Sequence, residues 1–163
     1  MKDLKKETMV IISLIVLAVA SRLLPHPPNF APITGIALFA AAKFQQRLVA
    51  LLLPLACLFL TDLILGLGWI NLFVYAAFGV ISLLGFATKK VKIQTVLLSS
   101  ILFFLVSNLG VWLLYYPLSV EGLTTCFTLA IPFFTNTLLG DLAYTAVLFY
   151  SFSTLKNTYL RPA

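Results

Sequence analysis

The sequence predicts an all-α membrane protein, a polytopic bundle of six transmembrane helices with both termini in the cytoplasm. Of its 163 residues, 61% are hydrophobic and 10% are charged, and the mean hydropathy is +1.07. Soluble domains are about 45–50% apolar and about 25% charged, and a domain this small cannot bury so much apolar surface. The composition therefore excludes a water-soluble monomer. The apolar runs are also too long for the alternating ten-residue strands of a β-barrel.

The first two spans are predicted at about 8–24 and 30–43, separated by a proline-rich loop. Basic residues precede the first apolar run, and Arg22 lies near its end. Four of the eight prolines fall within residues 25–32, where their rings remove N–H donors and rule out a continuous helix. Asn29 is a suitable N-cap for the helix that follows this loop.

The third and fourth spans are predicted at about 48–66 and 69–88, divided at Gly66-Leu67-Gly68. The fifth, at about 93–116, ends before Pro117. The remaining stretch from Pro117 to Leu155 would reach about 55 Å as one helix, against a hydrocarbon core of about 30 Å. We therefore expect a helix on the outer surface at about 119–131, a bend at Pro132 and a sixth span at about 132–155.

The orientation follows from the basic residues, which remain on the cytoplasmic side of a membrane protein. With six spans and the N-terminus inside, ten of the eleven basic residues are cytoplasmic, and Arg22 alone lies outside. The ten are Lys2, Lys5, Lys6, Lys43, Arg47, Lys89, Lys90, Lys92, Lys156 and Arg161. This distribution supports both the number of spans and their orientation, and it explains the net charge of +6 without nucleic acid.

An alternative interpretation of the first run is a signal peptide. The basic start, the apolar run and the small residues Ala18-Val19-Ala20 before Ser21 match such a leader. Its cleavage would leave five spans in the same orientation.

Polar residues within the spans are candidates for a binding site, because ionisable groups inside a bilayer are costly. Asp62 and Asp141 both lie in the outer half of the predicted membrane. Helical spacing places Thr137, Tyr144 and Thr145 on the face of Asp141. The candidate substrate-binding residues are Arg22, Asn29, Asp62, Asn108, Trp112, Asn136, Asp141 and Tyr144.

Two other roles for these residues remain open. Either aspartate could pair with Arg22 as a structural contact, and the other polar groups could form hydrogen bonds between helices. Asp62 and Asp141 together could also serve as an acid/base pair in a membrane-embedded enzyme. No metal or cofactor is expected, because His26 is the only histidine and the two cysteines have no ligand spacing.

The second span also carries Ala37-x-x-x-Ala41, a small-residue pattern that lets two helices approach closely. The pattern fits packing within the bundle or docking onto a partner protein.

Several runs resemble a family of small uncharacterised bacterial membrane proteins, itself related to the S components of energy-coupling factor (ECF) transporters. The matching runs are Arg22–Pro32, Ile36–Ala40, Thr61–Gly66, Ser107–Trp112, Tyr116-Pro117, Gly122-Leu123 and Ile131–Asp141. The resemblance implies a six-helix subunit that binds a small micronutrient near the outer surface. It also implies docking onto a coupling subunit driven by two ATPases. S components dock through an Ala-x-x-x-Ala pattern on their first helix, whereas here the match, Ala37 and Ala41, lies on the second.

We therefore expect a substrate-binding transport protein that captures a small polar molecule on the outer side for uptake. Two acidic groups against one Arg22 favour a cationic or zwitterionic ligand. The first alternative is a structural or accessory membrane protein that does not transport, and the second is the membrane-embedded enzyme.

Overall fold

The computed structural model describes residues 2–88 and 90–159, with side chains described for residues 6–88 and 90–158. Across that part of the chain the protein consists of six helices and contains no strand. They are α1 (Lys2–Arg22), α2 (Ile33–Lys43), α3 (Arg47–Leu65), α4 (Ile70–Ala87), α5 (Ile93–Tyr115) and α6 (Val120–Tyr159). Four of them, α3 to α6, are long and apolar enough to cross a membrane. The prediction of an all-α protein is therefore confirmed, and four of its helices are compatible with crossing a membrane.

The surface of these helices is apolar, as expected for helices that face lipid. Bulky aliphatic side chains along α1, α3 and α5 are about half exposed or more, including Leu17, Leu63, Ile64 and Leu105. Only about a quarter of the apolar windows in α3 to α6 is buried inside the protein. In water such a surface would be unstable, whereas lipid tails solvate it without cost.

Helix α2 is the central element of the bundle and is shorter than predicted. Its eleven residues span about 16 Å, roughly half the hydrocarbon core. Residues 33–40 are all buried, and α2 contacts each of the other five helices. A helix that is apolar all round belongs in a core. Within the segment predicted as a span over 30–43, the helix therefore covers 33–43 and lies in the core of the bundle.

The burial of α2 also corrects the prediction of a partner-docking face. Ala37 is fully buried, and the methyl group of Ala41 lies where a side chain on Gly85 would have to sit. The small residues therefore bring α2 close to α4 inside the bundle. Ala37 is therefore not available as a docking surface for another protein, and the partly buried Ala41 packs against α4.

Helix α6 runs without interruption through Pro132. The predicted surface helix at 119–131 and span at 132–155 are parts of this one helix, whose 40 residues measure about 60 Å. The Phe104 ring of α5 packs against Phe127 and Phe134, with ring centroids 5.6 and 4.9 Å away. Contacts on both sides of the proline hold the helix against α5, and a packed helix tolerates the one missing backbone hydrogen bond.

A substitution at Gly110 tests the close packing of α4 on α5. A Cβ atom at this position would lie 2.7 Å from the Phe73 Cβ and closer still to its ring. We expect Gly110→Ala to lower the free energy of unfolding by about 1–3 kcal/mol through overpacking. The matched control is Gly79→Ala, since a Cβ there meets nothing within 4 Å. Unfolding in mixed micelles measures both variants, and equal stability of the two would contradict this packing.

Candidate functional site

Asp62 lies at the centre of a saturated hydrogen-bond network. It is 2% exposed, and the Arg22 guanidinium donates to its Oδ1 at 2.6 Å. The Asn71 amide and the Tyr75 hydroxyl donate to Oδ2 at 2.7 and 2.8 Å. Arg22 also donates to the Thr61 hydroxyl. The carboxylate thus has one cationic and two neutral donors, which satisfy a buried charge internally.

Chain topology brings these groups together from three helices. Arg22 is the last residue of α1, and Asp62 lies in the last turn of α3. The short loop after Gly66, which has a positive φ of 115°, leads into the first turns of α4. Asn71 and Tyr75 lie four residues apart there and share a helix face. The network therefore joins the ends of α1, α3 and α4.

Asp141 lies in a second network that shares no residue with the first. It is 3% exposed and accepts a hydrogen bond from the Ser100 hydroxyl at 2.7 Å. The Thr34 hydroxyl is another hydrogen-bond partner. This network joins α2, α5 and α6. Within residues 6–88 and 90–158, no ion pair reaches Asp141.

Tyr144 connects α6 to the end of α1. Its hydroxyl and the Ser21 hydroxyl are hydrogen-bonded at 2.9 Å, and its ring packs against Phe30 with centroids 5.7 Å apart. Both contacts are within the protein. Tyr144 therefore holds the loop before α2 in place.

A cavity of about 350 Å³ lies between that loop, α5 and α6. It brings together Asn29 and Asn108, two of the predicted binding residues. Its lining residues are Pro28, Asn29, Asn108, Val111, Tyr116, Cys126, Leu129, Ala130 and Phe133. None of them carries a charge. We call this the amide cavity.

The two amides are held differently. Asn29 has a φ of 65°, a left-handed conformation that asparagine adopts more readily than most residues. The Asn108 amide nitrogen donates to the Phe104 carbonyl at 2.7 Å. This bond fixes the side chain and leaves its Oδ1 as an acceptor at the cavity.

The other predicted binding residues do not line the amide cavity. Trp112 donates from its indole nitrogen to the Pro117 carbonyl at 3.0 Å and thereby braces the turn between α5 and α6. Asn136 is half-buried and absent from the lining. Arg22, Asp62, Asp141 and Tyr144 are engaged in the contacts described above.

Sequence reasoning missed several residues of the amide cavity. Neither Tyr116 nor Cys126 is among the binding residues predicted from the sequence. Cys126 is buried, and its thiol lies 3.5 Å from the Asn108 carbonyl. The signal that could have found it is helical spacing, because Cys126, Leu129, Ala130 and Phe133 recur every three or four residues along one face of α6.

Comparison with known proteins gives one match. A family model described as "Family of unknown function (DUF6580)" covers residues 2–163. No curated protein and no solved structure matches the chain.

Proposed function

Because the chain belongs to this family of unknown function, its role has to come from its own geometry. We propose that it is a bacterial inner-membrane protein that captures a small polar micronutrient on the outer side for uptake. The observation that carries the proposal is the amide cavity. Its volume lies within the range of about 300–1,000 Å³ typical of small-molecule sites.

The lining of the amide cavity favours an uncharged ligand. Two asparagine side chains and the Tyr116 hydroxyl can donate and accept hydrogen bonds, while the remaining lining is mostly apolar. A few fixed polar groups on apolar walls are typical of sites for small molecules. The expectation of a cationic or zwitterionic ligand rested on Asp62 and Asp141, which have partners inside the protein, so a neutral ligand replaces it.

We place the amide cavity on the outer side because of the basic residues. Lys43 and Lys156 lie near the start of α1, where Lys43 lines a pocket with Glu7 and Lys156 pairs with Glu7 at 2.9 Å. The amide cavity lies instead beside the loop that follows Arg22. Among the other basic residues, Lys89 and Arg161 lie outside the described residues, as do the side chains of Lys2 and Lys5. Six crossings with both termini inside remain our proposal for the topology.

The proposed role is that of a substrate-binding subunit similar to the S components of ECF transporters. A coupling subunit and its ATPases are the implied partners, and membrane lipid surrounds the helices. Since Ala37 is buried, such a partner would have to dock on another surface. The exposed apolar side chains of α1 and α3, such as Leu17 and Ile64, offer one.

A structural or accessory role is the second candidate, and the hydrogen bonds of both carboxylates within the protein favour it. Asp62 and Asp141 both stabilise contacts between helices, as expected of residues that only hold a bundle together. The third candidate, a membrane-embedded enzyme, gains no support, since these aspartates lie in networks without a common residue.

The test removes each cavity amide without disturbing the backbone. Asn29→Gly deletes the side chain and keeps the left-handed conformation, and Asn108→Leu replaces an amide with an apolar group of similar size. Each loses a hydrogen bond to ligand, worth about 1–1.5 kcal/mol or about tenfold in affinity. We expect native mass spectra to show a co-purified small molecule in the wild type and much lower occupancy in both variants.

Asn136→Ala is the matched control, because it removes a half-buried amide outside the amide cavity. Its occupancy should equal that of the wild type. Alkylation of Cys126 in a Cys57→Ala background gives a second measure, since a ligand in the amide cavity should protect this thiol. Absence of any bound molecule, with unchanged thiol reactivity in all variants, would favour the accessory role.

A further inference from the structure

Asp141 differs from Asp62, the other buried carboxylate among the described residues, in lacking a counter-charge. Asp62, equally buried, is paired with Arg22, whereas the hydrogen-bond partners given for Asp141 are neutral hydroxyls. An isolated carboxylate inside a membrane protein is very costly unless it is neutralised. The site of Asp141 therefore requires a positive charge that the described side chains do not supply.

A second observation comes from Thr145, one turn further along α6. Its hydroxyl is buried, with 7% of the residue exposed, and has no hydrogen-bond partner among the described residues. Residues four apart on a helix lie on the same face, with Cβ atoms about 6 Å apart. An unused buried hydroxyl thus lies beside the carboxylate. With Ser100 and Thr34, it gives a small site made of oxygen atoms.

A groove provides a path to this site. It has a volume of about 320 Å³ and lies between the start of α5 and the second half of α6. Thr145 and Val96 line it. Thr145 lies one helical turn from Asp141, and Val96 lies one helical turn from Ser100. Lys92, immediately before α5, is the charged residue in the lining. It marks the end of the groove that we assign to the cytoplasmic side.

We propose that Asp141 is the anionic ligand of a small monovalent-cation site that is reached from the cytoplasmic side through this groove. The cation is a proton on a carboxylate oxygen, or Na⁺ held by that oxygen and the hydroxyls of Ser100, Thr34 and Thr145. Carboxylate and hydroxyl oxygens are hard ligands that suit either ion. Lys92, at the groove, is the other charged group that faces this region.

This proposal goes beyond ligand capture on the outer side and does not depend on it. The amide cavity and the Asp141 site have no lining residue in common. Loss of ligand occupancy in the amide cavity would leave the cation site unaffected. Loss of the cation site would likewise leave ligand occupancy in the amide cavity unchanged.

The experiment measures the apparent melting temperature of the purified full-length protein in detergent. One series varies pH from about 5 to 9 without Na⁺, and another replaces choline chloride with NaCl at constant ionic strength and pH. A site linked to one proton changes the unfolding equilibrium by up to tenfold per pH unit, and a Na⁺ site gives a rise that follows saturation. We expect one of these dependences in the wild type and its loss in Asp141→Asn.

Thr145→Val should weaken the same dependence, because it removes the unpartnered hydroxyl and keeps the shape. The control is Glu121→Gln, which removes an exposed carboxylate from the first turn of α6 and should retain the wild-type response. If Asp141→Asn does not fold, infrared difference spectra of the wild type decide between the ions. A protonated carboxyl band indicates the proton, and a band that shifts with Na⁺ indicates the metal ion.

The proposal is overturned if the wild type and Asp141→Asn respond identically to pH and to Na⁺. It is equally overturned if the infrared spectra show neither a protonated carboxyl nor a carboxylate sensitive to Na⁺. A response to pH alone assigns the proton, and a response to Na⁺ alone assigns the metal ion.

Discussion

Asp62→Ala is expected to lower the free energy of unfolding by about 3–5 kcal/mol, because it leaves the Arg22 guanidinium without its anion. The side chains of this pair are 16% and 3% exposed, so water cannot replace the lost partner. The variant also removes the acceptor of the Asn71 and Tyr75 hydrogen bonds. Chemical unfolding in mixed micelles and the yield of monodisperse protein measure the effect.

Two controls separate a structural ion pair from a binding residue. Glu7→Ala breaks the exposed pair with Lys156 and should cost no more than about 1 kcal/mol. The double variant Asp62→Ala/Arg22→Met should recover part of the loss, because neither charge is then left unpaired. If Asp62→Ala is as stable as the wild type but loses a co-purified ligand, Asp62 binds substrate, as the sequence predicted.

The contrast between Asp62 and Asp141 shows which features of the site can be predicted from the sequence and which cannot. Counting charges singled out both residues and named Arg22 as a possible partner. The sequence alone did not predict which aspartate pairs with Arg22. The pairing depends on how α1 packs against α3, and the two residues are forty positions apart in the chain. Asn71 and Tyr75 lie four residues apart, so helical spacing places them on one face, yet nothing local links that face to Asp62.

The positions of the helices could largely be predicted from the apolar runs and the helix-breaking residues. The predictions that were wrong have physical causes. Pro132 looks like a bend when its own segment is considered, but Phe104 packs against α6 on both sides of it. The run after Pro32 looks like a span by composition. Only the packing of five other helices around its eleven residues reveals that it is a core helix.

The amide cavity was predictable in part. Asn29 and Asn108 are both predicted binding residues, and the structure brings both to one cavity. Trp112 and Asn136 are predicted binding residues as well, but they do not line it. The difference lies in the fold of the loop around Asn29 over α5 and α6, and no periodicity in the sequence encodes the path of an irregular loop.

Phe39→Ala is the second large effect that we expect, a loss of about 3–5 kcal/mol in the free energy of unfolding. Phe39 is fully buried in α2. Its ring meets Phe149 and Phe152 of α6 edge-on, with centroids 5.2 and 5.6 Å away. Truncation removes these contacts and leaves a cavity that the surrounding helices cannot fill. The same unfolding experiment in mixed micelles measures the loss.

Phe59→Ala supplies the matched comparison, because it deletes the same side chain from α3, where about half of it is exposed. Lipid replaces most of its contacts, so we expect a loss below about 1 kcal/mol. The ratio of the two losses distinguishes the positions that α2 could occupy. A central α2 makes the Phe39 variant several times more costly, whereas a peripheral α2 free to dock a partner would make the two losses equal. Equality would therefore restore Ala37 and Ala41 as a docking surface and contradict the arrangement described above.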